Sequence, residues 1–208
     1  MATLQSFTDW IADYAGVVRD QADYLTDLDR AIGDADHGAN MARGMGKVAL
    51  LTEQEEFTAI DAYLKKVGMS LVSNVGGASG PLYGTFFLRM AGAFTGVEEA
   101  GVTEVAAGLR AGVEGILARG KAEVGDKTMY DAWAPALEAF DSAVGSGSDL
   151  AAALAAAAEA AAKGRDETEG LVARKGRASY LGERSRGHID PGATSSTMLL
   201  ESAARTLA

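Results

Sequence analysis

The chain contains no cysteine and only two histidines among its 208 residues. The absence of cysteine excludes disulfide bonds, thiolate catalysis and zinc–thiolate sites. Any bound metal ion must therefore be held by Asp, Glu or His side chains. A cysteine-free chain is compatible with a cytoplasmic protein, and the cytoplasm is the location that we expect.

Long apolar runs are also missing, although 48% of the residues are hydrophobic. Gly, Ser or charged residues interrupt each run well before the roughly 18 residues that a membrane-spanning helix needs. The N-terminal segment "MATLQSFTDW" has neither a basic nor an apolar region of the kind that directs export. We expect no membrane association, and the length favours one domain over residues 1–208.

Positive charge is in short supply, because 19 Lys and Arg stand against 29 Asp and Glu, a formal net charge of −10. This balance argues against a nucleic-acid partner, since neutralising phosphates requires clustered basic side chains. The basic residues concentrate instead in Arg174–Arg186. Such a cluster suits a phosphorylated ligand or an acidic partner, and a solvated loop explains it equally well.

Alternating β-branched runs bounded by hairpin turns are absent, whereas apolar residues recur at helical spacing through most of the chain. The pattern predicts an all-α protein with eight helices. Thr103 and Ser148 are candidate N-caps, and Pro81 suits the first turn of its helix. The predicted helices span residues 7–32, 40–51, 57–74, 81–94, 103–120, 129–144, 149–172 and 192–207.

Glycine is abundant, and the 26 glycines concentrate between the predicted helices. Four connectors are long, polar and rich in glycine, whereas simple helix-to-helix turns are commonly two to eight residues long. Such loops on a helical scaffold are where ligand sites are expected. The four are "IGDADHG", "NVGGASGPLYG", "ARGKAEVGDK" and "KGRASYLGERSRGHIDPG".

Three aspartates, Asp29, Asp34 and Asp36, lie in and just before the first of these loops. Carboxylates about 4 Å apart repel by about 4 kcal/mol per pair at an effective dielectric constant near 20, and a divalent cation relieves this repulsion. Oxygen ligands favour Mg²⁺ or Ca²⁺, but an EF-hand starting at Asp34 would need glutamate where Met45 stands. The alternative is that Asp34 caps the next helix and the other carboxylates face solvent.

The second loop, "NVGGASGPLYG", precedes a helix and could direct backbone N–H groups at an anion. It is not a Walker A loop, because no Lys-[Ser/Thr] pair follows its last glycine. If phosphates bind here, their positive counter-charge must come from elsewhere. Cations held by the aspartates of the first loop would supply the positive charge that phosphates on the second loop require.

Two further side chains are candidates for contact with phosphate. The aspartates beside His37 favour its imidazolium form, which indicates a hydrogen-bond donor to phosphate rather than a phosphate-carrying nucleophile. Arg177 is the candidate catalytic residue, because a planar guanidinium stabilises charge on a transferring phosphoryl group. We expect His188 to order the final loop.

Four spaced blocks resemble the dihydroxyacetone kinase L-subunit family: "LDRAIGDADHGANM", "NVGGASGPLYG", "GDKTMYDAW" and "GRASYLGERSRGHIDPGA". The resemblance implies an antiparallel barrel of eight helices, and two Mg²⁺ ions held by Asp29, Asp34 and Asp36 against the phosphates of ADP or ATP. Ala35 departs from the glycine usual in the family, which matters if the backbone there is left-handed. The implied nucleotide contacts are His37, Gly38, Ala39, Asn40, Ala78, Ser79, Gly120, Met129 (near the base), Arg177, Asp190, Pro191 and Gly192.

The resemblance also implies an activity. In the phosphotransferase-system type, ADP stays bound as a coenzyme, accepts phosphate from a phosphohistidine donor protein (the M subunit) and passes it to dihydroxyacetone on a separate K subunit. The ATP-dependent type carries its substrate domain on the same polypeptide. Two alternatives remain open: a subunit that exchanges ATP and serves another ketose or polyol, and a nucleotide-sensing regulatory adaptor. A homodimer is a further expectation.

Overall fold

The computed structural model describes residues 1–208 and is almost entirely helical, as the periodicity predicts. The ten α-helices are α1 (Leu4–Asp20), α2 (Ala22–Ile32), α3 (His37–Ala49), α4 (Leu51–Gln54), α5 (Ile60–Asn74), α6 (Ser79–Ala91), α7 (Val102–Gly120), α8 (Tyr130–Gly145), α9 (Leu150–Glu167) and α10 (Pro191–Thr206). Short 3₁₀ segments cover Gly92–Phe94, Thr168–Gly170 and Arg177–Ser185.

Eight of the helices form a closed antiparallel ring, which confirms the expected barrel. Each helix packs against its neighbour in the order α1, α3, α5, α6, α7, α8, α9, α10, and α10 returns to α1. The ring closes through Trp10 of α1, whose indole N–H donates to the carbonyl of Leu199 at 2.9 Å. Helix α2 lies outside the ring and packs on α3 and α10 at one end.

The barrel interior is one continuous cluster of 47 buried hydrophobic residues. Large aromatic side chains occupy it, among them Trp10, Phe86, Phe87 and Trp133. Glycines let neighbouring helices approach closely: a Cβ on Gly84 of α6 would lie 2.8 Å from the carbonyl oxygen of Gly68 on α5. The alanine-rich sequence of α9 serves the same purpose against α8, because small side chains allow close helix packing.

The element boundaries differ from the predicted ones in a few places. The predicted first helix divides at Gln21 into α1 and α2, and Leu51–Gln54 forms a separate turn. Two strands of two residues each, β1 (Ala2–Thr3) and β2 (Glu99–Ala100), pair antiparallel where no strand is expected. Strands this short leave no periodic signal in a sequence.

Both predicted caps are wrong. Helix α7 begins at Val102 because the Glu104 carboxylate accepts the backbone N–H of Gly101 at 2.8 Å, which places Thr103 inside the first turn. Asp149 rather than Ser148 caps α9, accepting the N–H of Ala152 at 2.9 Å. None of the helices combines the length and the apolar character that crossing a membrane would require.

The antiparallel order places four connections at one end of the barrel. They join α2 to α3, α5 to α6, α7 to α8 and α9 to α10. These are the four glycine-rich loops that the sequence singles out. The fold therefore gathers all four loops at the same end.

Candidate functional site

The three aspartates form one cluster at this end. A carboxylate oxygen from each of Asp29, Asp34 and Asp36 lies within 4.8 Å of the others. Asp29 is buried in the last turn of α2, and its Oδ2 accepts the backbone N–H groups of Asp36 at 2.9 Å and His37 at 3.2 Å. Its second oxygen, Oδ1, has no such partner among the hydrogen bonds of the chain.

The loop backbone is shaped to keep these carboxylates together. Gly33 ends α2, and a Cβ there would lie 2.0 Å from Oδ1 of Asp29, so any larger residue would displace that carboxylate. Ala35 adopts a left-handed conformation with φ +61°. The presence of alanine instead of glycine therefore matters at this position. Asp36, not Asp34, occupies the N-cap position of α3, and it makes no side-chain capping bond. The Asp34 carboxylate is thus not used as a helix cap.

Arg177 joins this cluster from a distant part of the chain. Its Nη2 lies 3.0 Å from Oδ2 of Asp34, and its side chain remains largely exposed. One guanidinium therefore faces three carboxylates. An all-oxygen donor set with excess negative charge is the chemistry that Mg²⁺ prefers, so the residues present fit that ion.

The second glycine-rich loop packs directly on the start of α3. A Cβ on Gly76 would lie 2.7 Å from Oδ1 of Asn40, and Gly77 has φ +64°. The same Asn40 oxygen accepts a hydrogen bond from Nη2 of Arg43 at 2.7 Å. Glycine at position 76 thus lets the loop backbone approach the α3 N-terminus, where free N–H groups favour anions.

His37 links the two loops through a buried chain of hydroxyl groups. Its Nδ1 lies 3.1 Å from the Ser79 hydroxyl, and its Nε2 lies 2.9 Å from the Ser195 hydroxyl. Burial lowers the pKa of His37, and the opposing effects of Asp29 and Asp36 are smaller. This direction is opposite to the one expected from the neighbouring aspartates. The neighbouring carboxylates are outweighed because the ring is almost fully buried.

The remaining predicted residues come from the other two loops. Met129 and Gly192 are neighbours, since a Cβ on Gly192 would lie 3.5 Å from Met129. Asp190 caps α10 by accepting the N–H of Ala193 at 2.7 Å, and Pro191 begins that helix. Gly120 ends α7, and a Cβ there would meet only Leu82, at 3.4 Å.

The structure brings together residues that the sequence does not single out. The Tyr83 hydroxyl lies 2.7 Å from the Ser195 hydroxyl and 3.0 Å from that of Ser196. The Tyr14 hydroxyl donates to the backbone carbonyl of Ser195 at 3.1 Å. These residues hold Ser195 against His37, and only the run of small polar residues "GATSST" on a buried helix face could have indicated them.

Lys127 is a second missed residue. Its side chain is buried, and its ammonium group donates to the backbone carbonyls of Thr168 and His188, which ties the α7–α8 loop to the α9–α10 loop. Burial lowers the pKa of Lys127. His188 thus takes part in ordering the final loop through its carbonyl group, while its ring is exposed.

Asp190 is the most strongly perturbed carboxyl group here. Burial raises its pKa to about 7, against the opposing effects of the Ala193 N–H and of Lys127. Asp131 and Asp29 contribute further to the rise through charge repulsion. Burial is therefore the main reason why this capping carboxyl group loses part of its acidity, and the neighbouring aspartates add to the effect.

Two surface grooves, of about 410 and about 450 Å³, lie at the opposite end of the barrel around Leu4 and Thr58. Neither is lined by any of the predicted residues. The candidate site is the open face formed by the four loops.

Comparison with known proteins identifies the family to which this chain belongs. The sequence model of one protein family, the DAK2 domain, matches residues 31–205. The chain belongs to the DAK2 domain family. Within this family it is a member of the dihydroxyacetone kinase L-subunit group, and the predicted enzyme class, a phosphotransferase, is confirmed.

Two curated DAK2 relatives match almost end to end. The chain is 45% identical over 192 residues to the PEP-dependent dihydroxyacetone kinase, ADP-binding subunit DhaL of Escherichia coli, covering 92% of this chain and 91% of that one. It is 44% identical over 201 residues to the PTS-dependent ADP-binding subunit DhaL of Lactococcus lactis, covering 97% and 96%. A more distant relative is the L-erythrulose 1-kinase of Mycolicibacterium smegmatis, 34% identical over 89% of this chain and 32% of its own.

Solved structures agree on the fold. The native dihydroxyacetone kinase of C. freundii superposes with a TM-score of 0.72 at 25% identity, covering 95% of this chain and 34% of that one. The same enzyme in complex with AMP-PNP and Mg²⁺ gives a TM-score of 0.72 at 24% identity, covering 99% and 34%. These matches confirm the helical fold expected for the family.

Proposed function

We propose that this DAK2 chain is the nucleotide-carrying subunit of a phosphotransferase-system-dependent dihydroxyacetone kinase. In this proposal ADP is a resident coenzyme, the phosphoryl group comes from a phosphohistidine donor protein, and dihydroxyacetone is held on a separate K subunit. The observation that carries the proposal is the cluster of Asp29, Asp34 and Asp36 beside the glycine loop 76–79. The near full-length match to two ADP-binding subunits supports it.

The three aspartates would hold two Mg²⁺ ions. When bound, these ions neutralise phosphate charge and polarise the transferring phosphoryl group. Asp29 is positioned for this task because two backbone N–H groups fix its Oδ2 and leave Oδ1 without a partner. Asp34 and Asp36 need no rearrangement to share a site with it, since their oxygens already lie within 4.8 Å.

The remaining residues orient the nucleotide and the charge around it. The loop at Ala78 and Ser79, with the first turn of α3 from His37 through Gly38, Ala39 and Asn40, would bind phosphate. Met129, Gly120, Asp190, Pro191 and Gly192 would face the rest of the nucleotide. ADP supplies the group that accepts and then donates the phosphoryl group.

Arg177 is assigned the catalytic role. Its guanidinium already faces the aspartate cluster at Asp34. From there it can stabilise the negative charge that develops on the transferring phosphoryl group. Its exposed position leaves it free to exchange Asp34 for phosphate oxygens. Little covalent chemistry is required of the protein, because in-line transfer depends chiefly on positioning and charge neutralisation.

The alternative of another ketose has one observation in its favour, the 34% identity to an L-erythrulose 1-kinase. In our proposal the site of this chain contacts the nucleotide and not the sugar. The K subunit would therefore determine which sugar is phosphorylated. The proposal further treats residues 1–208 as one domain that acts in the cytoplasm. A homodimer is compatible with this arrangement.

The test is reconstitution with labelled phosphate. The purified chain, loaded with Mg²⁺ and ADP, is mixed with the phosphorylated donor protein, the K subunit and dihydroxyacetone. We expect labelled dihydroxyacetone phosphate without added ATP. Product formation only when ATP is supplied in excess would favour the ATP-exchanging subunit, and no product under either condition would favour a regulatory adaptor.

A further inference from the structure

A row of four polar side chains lies beneath the candidate site and joins the N-terminal ends of three helices. His37 begins α3, Ser79 begins α6, and Ser195 lies in the second turn of α10. Tyr83 follows Ser79 by one turn on the same face of α6. We call these four side chains the hydroxyl relay. It leads from α6 through α3 and α10 and back to α6.

The contacts of the hydroxyl relay use both ring nitrogens of His37. Nδ1 lies 3.1 Å from the Ser79 hydroxyl, and Nε2 lies 2.9 Å from the Ser195 hydroxyl. The Tyr83 hydroxyl approaches the Ser195 oxygen at 2.7 Å, the shortest contact of the four side chains. His37, Tyr83 and Ser195 are buried, whereas Ser79 is half-buried beside the glycine loop. Ser79 is therefore the member of the relay that can contact a ligand.

The hydrogen bonds of the relay can run in two directions, because hydroxyl groups both donate and accept. If Nε2 of His37 carries the ring proton, Nδ1 accepts the proton of Ser79, and the Ser79 oxygen presents only lone pairs to the site. If Nδ1 carries the ring proton, it donates to the Ser79 oxygen, and the Ser79 proton is free to point at the site. The second direction suits an anion, because phosphate oxygens accept hydrogen bonds.

Tyr83 and Ser195 favour the second direction. A phenolic hydroxyl is more acidic than an aliphatic one, so the short contact is best made by Tyr83 donating to the Ser195 oxygen. The Ser196 hydroxyl, 3.0 Å from the Tyr83 oxygen, can supply the hydrogen bond that this oxygen accepts. Ser195 then donates its own proton, and Nε2 of His37 at 2.9 Å is nearer than the carbonyl of Gly192 at 3.2 Å. An accepting Nε2 leaves the ring proton on Nδ1.

We propose that Tyr83 and Ser195 are positioning residues of the nucleotide site, which hold His37 in the tautomer protonated at Nδ1 so that the Ser79 hydroxyl donates to a phosphate oxygen. This inference rests on the proposed function. The His37 ring acts through Ser79 and does not itself touch the phosphate. Connected hydrogen bonds polarise one another, so a change at Ser195 alters the hydrogen bond that Ser79 offers to the ligand.

The first test is a double-mutant cycle on ADP affinity, measured by calorimetry in the presence of Mg²⁺. Ser79→Ala removes the donor to phosphate and should weaken ADP binding about 30-fold, and Ser195→Ala should weaken it about tenfold. In the Ser79→Ala background, Ser195→Ala should weaken binding by less than about twofold, because the relay no longer reaches the ligand. Two losses that multiply in the double variant would overturn the proposal.

Ser202→Ala is the matched control. Ser202 is another fully buried serine of α10, it lies outside the hydroxyl relay, and it accepts a hydrogen bond from Arg205 at 3.0 Å. Its replacement should leave ADP affinity within about twofold of the wild-type value. Urea unfolding of each variant identifies any loss of affinity that follows from a loss of the fold. Equal ADP affinities in Ser195→Ala and Ser202→Ala would contradict the positioning role of Ser195.

The second test reads the His37 tautomer by long-range proton–nitrogen correlation spectroscopy of the imidazole ring. The chain has two histidines, and His188→Gln, which replaces an exposed ring, leaves His37 as the single signal. We expect the proton on Nδ1 with and without Mg²⁺ and ADP, and a mixture of tautomers in Tyr83→Phe and Ser195→Ala.

The tautomer also separates this proposal from the proposed function. A proton on Nε2 of His37, or protons on both ring nitrogens, would overturn the proposal even in a chain that binds ADP. The Nδ1 tautomer in a chain without measurable ADP affinity would contradict the proposed function, while Tyr83 and Ser195 would keep their role in orienting Ser79.

Discussion

At the scale of single residues, the aspartate cluster is the feature whose chemistry is most directly testable. Asp34→Asn removes one charge from the proposed metal site and one exposed ion pair, to Arg177. Exposed pairs contribute little to stability, and the remaining carboxylates repel each other less, so the free energy of unfolding without metal should not fall. Affinity for ADP in the presence of Mg²⁺ should fall at least about 100-fold.

Isothermal calorimetry with Mg²⁺ and ADP, together with urea unfolding of the metal-free protein, checks both parts. Asp20→Asn is the matched control, since Asp20 is an exposed aspartate paired with Arg19 on α1. Equal ADP affinity in Asp34→Asn and Asp20→Asn would remove Asp34 from the metal site.

Ala35 has a backbone conformation that is unfavourable for alanine. With φ +61° an alanine is strained by about 1 kcal/mol, whereas glycine adopts this conformation without a steric penalty. Ala35→Gly should therefore raise the free energy of unfolding by up to about 1 kcal/mol in urea denaturation. Ala155→Gly, at an exposed position within α9, should lower it by about the same amount. A destabilised Ala35→Gly would show that the strain is absent.

At the scale of elements, Lys127 connects the two loops that precede α8 and α10. Lys127→Met leaves the carbonyls of Thr168 and His188 without their donor, which should cost about 2–3 kcal/mol of stability. We expect weaker ADP binding as well, because Met129 and Gly192 lie on the loops so joined. Lys121→Met is the matched control, because Lys121 is exposed and has a left-handed backbone conformation like that of Lys127, and it should change either quantity little. Equal effects of the two substitutions would refute the connecting role.

The N-cap of α10 predicts a pH dependence. The folded-state pKa of Asp190 is raised to about 7, from an ordinary value near 4. Between these values the folded chain binds more protons than the unfolded chain, so this group's contribution to stability is full below pH 4 and is lost as the pH rises to about 7. The loss is at most about 4 kcal/mol.

Asp190→Asn keeps a capping side chain and removes the titration. Urea unfolding of the metal-free protein from pH 4 to pH 8 should show the variant gaining stability relative to wild type as the pH rises. A constant difference between the two proteins across this range would contradict the raised pKa.

Helix periodicity accounts for most of what the sequence predicts at this scale. Apolar spacing locates the eight ring helices because each buries one face against its neighbours. The predicted caps at Thr103 and Ser148 are wrong because the helices start at other residues, where the neighbouring carboxylates of Glu104 and Asp149 accept the backbone N–H groups of Gly101 and Ala152. The buried hydroxyl chain around His37 depends on contacts between residues up to 158 positions apart, which local patterns do not encode.

At the scale of the whole molecule, an antiparallel ring explains why four loops distant in sequence form one site. Every second connection of such a ring lies at the same end, and here all four of those connections are glycine-rich. The aspartates and the glycine-rich loop at residues 74–84 could be singled out from residue types alone. Their proximity follows from the closed ring.

The central claim is that this end of the barrel holds ADP through metal ions on the three aspartates. The most direct measurement is the nucleotide content of the purified chain after incubation with Mg²⁺ and ADP and gel filtration, with and without EDTA. The account predicts about one ADP per chain without EDTA, and its release when the metal is chelated. An empty chain, or ADP that remains bound in EDTA, would contradict it.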